Sequence, residues 1–345
     1  MNVLLVQLDG KLPNLALMRI AAHHRKCGDR IELRHGADFG GLFDEAFDRV
    51  YGSAIFDRTR PLVRRLLATF PHAIVGGTGW DLVRTVEHVG IRAAGLDYSI
   101  YPRYRQSIGF CMRGCRLGCP FCVVPTKEGQ ARAAGTIVEI WRGEPWPREV
   151  VLLDNDFFGN PEWRARTGEL RDGRFKVCFT QGINARILTP EQAEEIASVD
   201  YRNSNMAERR LYTAWDRTQD EARLFAGLEL LCRYGVRPRH LLVYMLVGYD
   251  PNETHADRDY RRRKLREFGA LPYPMPFRRT PELVGFQRWV IGAYDKRVPW
   301  VDWQDANYQP RQLRPKTGHY CSICGCDPCE APDGCRMVAR HEAGG

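Results

Sequence analysis

Short apolar runs alternate with amphipathic segments along the first 95 residues. The run at 3–8 is almost entirely apolar, which favours a buried strand. Over 15–26, apolar residues recur every three or four positions, as on one face of a helix, and Gly28 follows as a typical stop signal. The same criteria predict further strands at 31–34, 49–55 and 73–75 and a helix at 62–70. This alternation predicts an α/β domain with a small, doubly wound, flavodoxin-like parallel sheet.

The alternation resumes after residue 122 and continues to about residue 275. It predicts strands at 149–154, 175–180, 211–214, 240–247 and 271–275, and helices at 161–170, 190–198, 219–234 and up to 268. Residues 96–110 are rich in Tyr and Arg and are predicted to lead into the first strand of a second domain. From about residue 276, basic and aromatic residues mix without strong periodicity. We therefore expect three domains, at 1–95, 96–280 and 281–345.

Three cysteines lie close together near the start of the second domain. Cys115, Cys119 and Cys122 are separated by three and then two residues, with Phe121 directly before the last. Glycine and proline residues around them favour a wrapped loop. Such a loop directs three thiolates at one soft metal centre, and thiolates suit iron–sulfur clusters. A four-iron cluster normally takes four ligands, so three cysteines suggest that one iron is open to a substrate or cofactor.

This Cys-x3-Cys-x2-Cys motif, with an aromatic residue before its third cysteine, resembles the radical S-adenosylmethionine (SAM) superfamily. The resemblance implies a [4Fe-4S] cluster on the three cysteines, whose open iron chelates the amino and carboxylate groups of SAM. It also implies reductive cleavage of SAM to a 5′-deoxyadenosyl radical, with electrons from a reductase or a flavodoxin- or ferredoxin-type donor. The predicted βα-type units fit the partial (β/α)6 barrel of that superfamily. From the residues alone, the alternative is a zinc site with Cys111 as fourth ligand.

The small N-terminal α/β domain is similar to the cobalamin-binding-like domain of some radical SAM proteins. Ligating cobalamin domains carry an Asp-x-His-x-x-Gly loop after the first strand, whereas residues 9–14 contain no histidine. His23 and His24 come a helix later and are expected at the surface. The pattern argues against histidine-ligated cobalamin and leaves binding without that ligand open. Methylthiotransferases are less similar, because they need three further N-terminal cysteines and only Cys27 precedes Cys111.

A glycine-rich segment, Gly76–Gly79, follows the last predicted strand of the first domain. Backbone amides of such a segment can cradle a phosphate group. A tight turn explains the same glycines, and the sequence leaves both interpretations open.

Polar residues follow the predicted strands of the second domain, at the end where barrel enzymes hold their chemistry. Asp154 and Asn155 end the strand at 149–154, and the resemblance implies that they hold the amino group of SAM. Their structural alternative is to cap the helix that follows.

The next strand is followed by a Gln-Gly-x-Asn-x-Arg run that resembles one in related proteins. Gln181 and Asn184 are expected to bond ribose or substrate hydroxyls, and Arg186 to meet the SAM carboxylate or to pair with a helix carboxylate. Gly248 is expected to let the backbone approach adenine or the methionyl group. Phe121 is expected at the cofactor site as well.

Five more cysteines lie within 15 residues near the C-terminus: Cys321, Cys324, Cys326, Cys329 and Cys335. Without a secretory signal, such clustering argues for metal rather than disulfides, with four of the five as ligands. The last three resemble part of the auxiliary-cluster motif of SPASM-type radical SAM enzymes. The sequence leaves an auxiliary [4Fe-4S] cluster and a structural zinc open.

The net charge of +9 is compatible with a phosphate-bearing partner. No apolar run is long enough for a membrane span, and the N-terminus lacks a basic leader, so we expect a cytoplasmic protein without a membrane partner. Together with similarity to radical SAM proteins of phage and bacterial modification pathways, the charge predicts isomerisation or modification of a nucleobase, free or within nucleic acid. The alternatives are cobalamin-assisted methyl transfer, a small-molecule natural-product rearrangement, and a non-enzymatic iron–sulfur or zinc regulator that binds nucleic acid.

Overall fold

The computed structural model describes residues 1–40, 46–92 and 95–307, with side chains as far as Trp303. The chain divides into two compact units, Met1–Arg278 and Arg279–Gly345. The first unit is an α/β structure whose main sheets are parallel, as the alternating pattern predicts.

Four parallel strands form the first sheet: β1 (Asn2–Gln7), β2 (Arg30–His35), β3 (Arg49–Ser53) and β4 (Ile74–Gly76). Their order in the sheet is β2-β1-β3-β4, and two helices connect them: α1 (Leu15–Lys26) and α2 (Arg60–Thr69). Leu4 of β1 packs in a cluster with Leu66 of α2, whereas its neighbour Leu5 packs with Leu17 of α1. Successive strand residues point to opposite faces, so the two helices cover both faces of the sheet.

Two further parallel sheets follow in chain order. The four-stranded sheet contains β5 (Ser107–Gly109), β8 (Glu149–Leu152), β9 (Lys176–Phe179) and β10 (Asp200–Tyr201). The three-stranded sheet contains β11 (Leu211–Ala214), β12 (Leu241–Val247) and β13 (Leu271–Pro276). Between β5 and β8, a small antiparallel pair is formed by β6 (Met112–Arg113) and β7 (Arg132–Ala133).

Helices alternate with these strands: α3 (Val124–Glu128), α4 (Ile137–Ile140), α5 (Trp163–Asp172), α6 (Pro190–Ser198), α7 (Glu221–Arg233) and α8 (His255–Phe268). Side-chain caps fix where several of them begin. Thr189 accepts a hydrogen bond from the amide of Gln192, whose side chain bonds back to the Thr189 amide. This reciprocal pair satisfies two amides that a helix start leaves unpaired.

In the described part of the second unit, helices α9 (Pro281–Ile291) and α10 (Trp300–Asn307) form where the sequence showed no strong periodicity. Thr280 caps α9. The rings of Phe286, Trp289 and Trp300 pack against one another, with centroids 5.5–5.9 Å apart. Phe286 and Trp289 are buried, so these rings form a packed core within this unit.

In the ranges described, every helix falls short of the length and apolarity needed to cross a bilayer.

Candidate metal and cofactor site

The three clustered cysteines lie in one segment closed by the pairing of β6 with β7. Cys115, Cys119 and Cys122 precede α3 on this segment. Gly114 has a φ of +78°, and a Cβ at this position would lie 2.1 Å from the carbonyl oxygen of Gln130. Glycine is therefore required where the two sides of the loop meet.

Each of these three cysteines is half-buried, and Cys119 lies close enough to Cys115 and Cys122 to affect the pKa of both thiols. The amide of Leu117 donates to Cys115 Sγ at 3.4 Å, and the amide of Val124 donates to Cys122 Sγ at 3.5 Å. Burial raises the pKa of the Cys115 thiol, and the nearby Cys119 and Cys122 raise it further. Amide donors favour the thiolate form, which is the form that binds metal.

A single ion and a four-iron cluster require different separations between their sulfur ligands. Zinc holds each sulfur ligand at about 2.3 Å, which brings the ligands close together. Within the described ranges, no three Cys, His, Asp or Glu side chains are grouped closely enough to hold one ion. Cysteines that bind a four-iron cluster each contact a different iron, so they stand further apart. Three thiols on one loop, two of them accepting amide hydrogen bonds, suit that arrangement.

Cys111 does not join the three cysteines. Its buried thiol donates to Asp154 Oδ2 at 2.6 Å, while Asp154 Oδ1 accepts from the amides of Cys111 at 2.9 Å and Met112 at 3.2 Å. Burial raises the pKa of Cys111 far above its ordinary value. Cys111 is therefore a neutral core thiol, and the structure does not support it as the fourth ligand of a zinc site.

The two residues predicted to hold the amino group of SAM are both engaged within the protein. Asp154 is 3% exposed and fixes the backbone that leads into the cysteine loop. Asn155 donates from Nδ2 to Glu128 Oε2 at 3.0 Å, at the end of α3. Neither residue caps α5, which begins at Trp163. Both side chains thus contact the cysteine segment, and Asp154 positions it.

A residue that sequence reasoning missed, Arg116, also holds this segment in place. Its guanidinium makes two hydrogen bonds to the buried carboxylate of Asp156, at 2.7 and 3.0 Å. Bidentate pairs of this kind fix orientation as well as distance. The sequence shows Asp154 and Asp156 on either side of Asn155, but nothing in it identifies Arg116 as the partner of Asp156.

Arg186 pairs with a helix carboxylate, which is the structural alternative given above for this residue. Its Nη1 lies 2.9 Å from Asp220 Oδ2, and its Nε donates to Asn184 Oδ1 at 3.1 Å. The Nδ2 atom of Asn184 is buried, and the described residues provide no hydrogen-bond partner for it. Asn184 and Arg186 line a cavity of about 180 Å³ together with Cys119 and Phe121, whereas Gln181 is exposed. An orphaned amide beside the cysteine loop fits a bound polar cofactor.

The loop that presents Asn184 and Arg186 rests on Gly227 of α7. A Cβ on Gly227 would lie 1.9 Å from the Ala185 carbonyl oxygen. We expect Gly227→Ala to lower the free energy of unfolding by about 1–3 kcal/mol, because the loop must move away. Gly168→Ala on α5 is the matched control, since its Cβ would meet nothing closer than 4.0 Å and gains up to about 1 kcal/mol of helix propensity. Equal urea midpoints for the two variants would contradict this expectation.

The end of β12 also contacts the cysteine loop. Gly248 has a φ of +74°, and its amide donates to Glu253 Oε2 at 2.6 Å. The ring of Tyr249 lies 5.3 Å from that of Phe121 in an edge-on contact. A cavity of about 600 Å³ opens beside Tyr249 and is lined by polar residues that include Asp216. Phe121 of the cysteine loop therefore contacts Tyr249, the residue that follows Gly248 at the end of β12.

A second residue that the sequence did not single out, Arg261, joins β11 and β12 at this end. Its buried guanidinium donates to the carbonyl oxygens of Trp215 at 2.9 Å and Leu246 at 3.0 Å and pairs with Glu253. Arg261 lies in a run of three arginines on α8, so the sequence alone does not distinguish the buried one from its neighbours.

One of the two histidines of α1, His24, does not lie at the surface as expected. His24 is 4% exposed, so its predicted surface position is wrong. Its ring nitrogens lie 2.7 Å from Asp29 Oδ2 and 3.1 Å from the Tyr51 hydroxyl. These bonds give His24 a structural role on α1 and leave no ring nitrogen for a cobalt ion.

Residues Gly76–Gly79 form a tight turn against the end of β3. A Cβ on Gly77 would lie 2.3 Å from the Ala54 carbonyl oxygen. The amide of Gly79 donates to Ala54 O, and the amides of Trp80 and Asp81 donate to Gly77 O. Close packing against Ala54 and Phe56 therefore explains Gly77 and Gly79, as the tight-turn interpretation predicts.

The C-terminal cysteine cluster predicted at Cys321, Cys324, Cys326, Cys329 and Cys335 lies outside the described residues.

In comparisons with protein families, with curated proteins and with solved structures, nothing matches this chain.

Proposed function

We propose that this protein is a radical SAM enzyme that modifies or isomerises a nucleobase or a nucleic-acid-linked substrate. The observation that carries the proposal is the arrangement of Cys115, Cys119 and Cys122. Their half-buried thiols lie on one loop that follows the first strand of a parallel sheet, and backbone amides donate to two of them. The parallel strands β5 and β8 to β13 suit the partial (β/α)6 barrel of that superfamily, and the first sheet suits a flavodoxin-like domain.

The three cysteines would hold a [4Fe-4S] cluster, which with bound SAM supplies a 5′-deoxyadenosyl radical once an external donor has reduced it. The protein's own side chains would then bind SAM and orient it at the cluster. The buried Asn184 amide would donate to a polar group of SAM, and Arg186 would contribute positive charge beside it. Phe121 and Tyr249 would exclude water from one side of the site.

The substrate class rests on charge. The chain carries 51 Lys and Arg against 42 Asp and Glu, and such an excess attracts phosphate-bearing partners. The electron donor would be a reductase or a flavodoxin- or ferredoxin-type protein. A cobalamin cofactor is not part of the proposal, because residues 9–14 hold no histidine and His24 is engaged with Asp29 and Tyr51.

Anaerobic purification with iron, sulfide, zinc and corrin quantitation, followed by turnover with dithionite and SAM, tests the function. We expect 5′-deoxyadenosine together with about four irons for the proposed cluster. About eight irons would add an auxiliary cluster at the C-terminal cysteines, and about four irons with one zinc would make that second site structural. Full iron occupancy without 5′-deoxyadenosine, even with nucleic acids added, would refute the enzyme and favour a regulator.

A further inference from the structure

A second cleft lies where the first sheet meets the cysteine segment. It has a volume of about 530 Å³ and is lined by the ends of β3 and β4, by α1 and by residues on either side of the three cysteines. Phe110 and Arg113 line it just before the cysteines, and Lys127 and Arg132 line it just after them. A ligand in this cleft would therefore contact the same chain segment that carries the proposed cluster ligands.

The walls of the cleft differ in polarity. One wall is apolar and is formed by side chains that include Leu15, Ile20, Ile74 and Val86. Cations also line the space, as does Phe110, whose ring centroid lies 4.0 Å from the Arg113 guanidinium. Clefts of this size commonly hold small molecules, with apolar walls for the body and a few polar groups for orientation.

Positive charge exceeds negative charge in the cleft. Five cations line it, Arg19, Arg84, Arg113, Lys127 and Arg132, against one lining carboxylate, Glu87. Three of the arginines pair with carboxylates: Arg19 with Glu87 at 2.6 Å, Arg84 with Asp81 at 3.6 Å and Arg113 with Glu128 at 3.0 Å.

The two remaining cations, Lys127 and Arg132, have no carboxylate partner within the part of the chain that the structure describes. Lys127 donates to the Thr78 hydroxyl, and Arg132 donates to the carbonyl oxygens of Glu128 and Gln130. The surrounding protein lowers the pKa of Lys127, chiefly because it removes water from the ammonium group. An anion that binds here would compensate that loss of hydration.

We propose that this cleft binds a nucleoside phosphate, with the phosphate group on Lys127 and Arg132 and the nucleoside along the apolar wall. A purely apolar ligand would leave the two cations unpaired, and inorganic phosphate would leave the apolar wall uncovered. The assignment of this cleft as the substrate site rests on the proposed function, because it specifies the substrate class for the chemistry at the cysteine segment. As a binding site it stands on the cleft alone.

Isothermal titration of the anaerobic, cluster-loaded full-length protein tests the site. The probes are the deoxynucleoside monophosphates of adenine, cytosine, guanine and thymine, the matching nucleosides, inorganic phosphate and a 5′-phosphorylated single-stranded oligonucleotide. At least one monophosphate is expected to bind about tenfold or more tightly than its nucleoside and than inorganic phosphate. The oligonucleotide distinguishes a free nucleotide from a nucleotide at the end of a strand. Equal affinity for nucleotide and nucleoside would overturn the proposal.

Lys127→Ala and Arg132→Ala are each expected to weaken monophosphate binding about tenfold. Both side chains keep substantial solvent exposure, and the loss of water at Lys127 concerns its ammonium group, so neither variant removes a packed core side chain. Lys26→Ala and Arg64→Ala remove the same charges from exposed positions outside the cleft and are expected to bind like the wild type. Unchanged affinity in both cleft variants would place the ligand elsewhere and overturn the assignment.

The site and the proposed function can fail separately. Wild-type protein that binds a monophosphate but forms no 5′-deoxyadenosine would refute the radical SAM proposal and leave the site in place. Formation of 5′-deoxyadenosine without binding of any monophosphate or oligonucleotide would support the radical SAM proposal and refute the nucleotide site.

Discussion

Cys119→Ala is expected to abolish 5′-deoxyadenosine formation and to reduce bound iron sharply. A [4Fe-4S] cluster held by three cysteines has no spare protein ligand, so the loss of one thiolate leaves a second iron without a protein ligand. Cys119 also lines the small cavity beside the orphaned Asn184 amide, so the substitution removes a cluster ligand next to the cofactor pocket. The measurement is iron content and 5′-deoxyadenosine after anaerobic reduction in the presence of SAM.

The matched control for this substitution is Cys27→Ala. Cys27 is exposed at the end of α1, where only its backbone caps the helix, so its side chain has no part in the fold. This variant is expected to keep the iron and the product of the wild-type protein. Wild-type amounts of 5′-deoxyadenosine from Cys119→Ala would show that the cysteine loop is not the centre of the chemistry.

Local signals were sufficient to predict many elements to within two residues of their observed bounds. The helix at 15–26 agrees with the structure, where Gly28, the predicted stop signal, follows its end and Asn14 caps its start. The helix at 190–198 agrees for a similar reason, since Thr189 and Gln192 form a capping box. Strand and helix signals of this kind depend on residues within about one turn of each other.

Contacts between distant residues could not be predicted in the same way. Asp154 bonds Cys111 across 43 residues, and Lys127 bonds Thr78 across 49 residues. The strand-end position of Asp154 was readable, but its partner was not, because a carboxylate at a strand end serves a ligand, a cap or the backbone equally well. The excess of cations in the second cleft has the same origin, since it arises only when the segments at 15–20, 84–89 and 110–132 come together.

Asp154, which was predicted as a site residue, stabilises the backbone that leads into the cysteine loop. Its buried carboxylate holds the amides of Cys111 and Met112, and the carbonyl of Cys111 accepts from Asn160 Nδ2 at 2.8 Å. These bonds fix the backbone four residues before Cys115. Asp154 therefore acts on the cysteine loop through its backbone, as a positioning residue.

Asp154→Ala is expected to lower the free energy of unfolding by about 4 kcal/mol and to reduce cluster occupancy. Two buried amides lose their acceptor, at a cost of about 1–3 kcal/mol each, and a small cavity adds to this. Asp154→Asn keeps an oxygen that can accept from both amides, so it is expected to retain more stability and more iron. The measurements are urea denaturation of the metal-free, reduced proteins and iron content after anaerobic reconstitution. Equal losses in the two variants would show that the amide bonds are not what Asp154 contributes.

The pH dependence of the free energy of unfolding distinguishes the contribution of the Asp154 charge from that of its hydrogen bonds. Burial raises the pKa of Asp154 to about 7 from the ordinary 3.8. Between these pH values the folded protein keeps a proton that the unfolded chain releases, so stability is greatest below the lower value and falls as pH rises toward the higher one. The loss approaches about 4 kcal/mol at most, at about 1.4 kcal/mol per pH unit. Asp154→Asn carries no such proton, so its stability relative to the wild type is expected to rise between about pH 4 and about pH 7 and to level off above. A constant difference between the two proteins across that range would show that Asp154 is ionised throughout it, and that the amides and the Cys111 thiol stabilise its charge enough to offset burial.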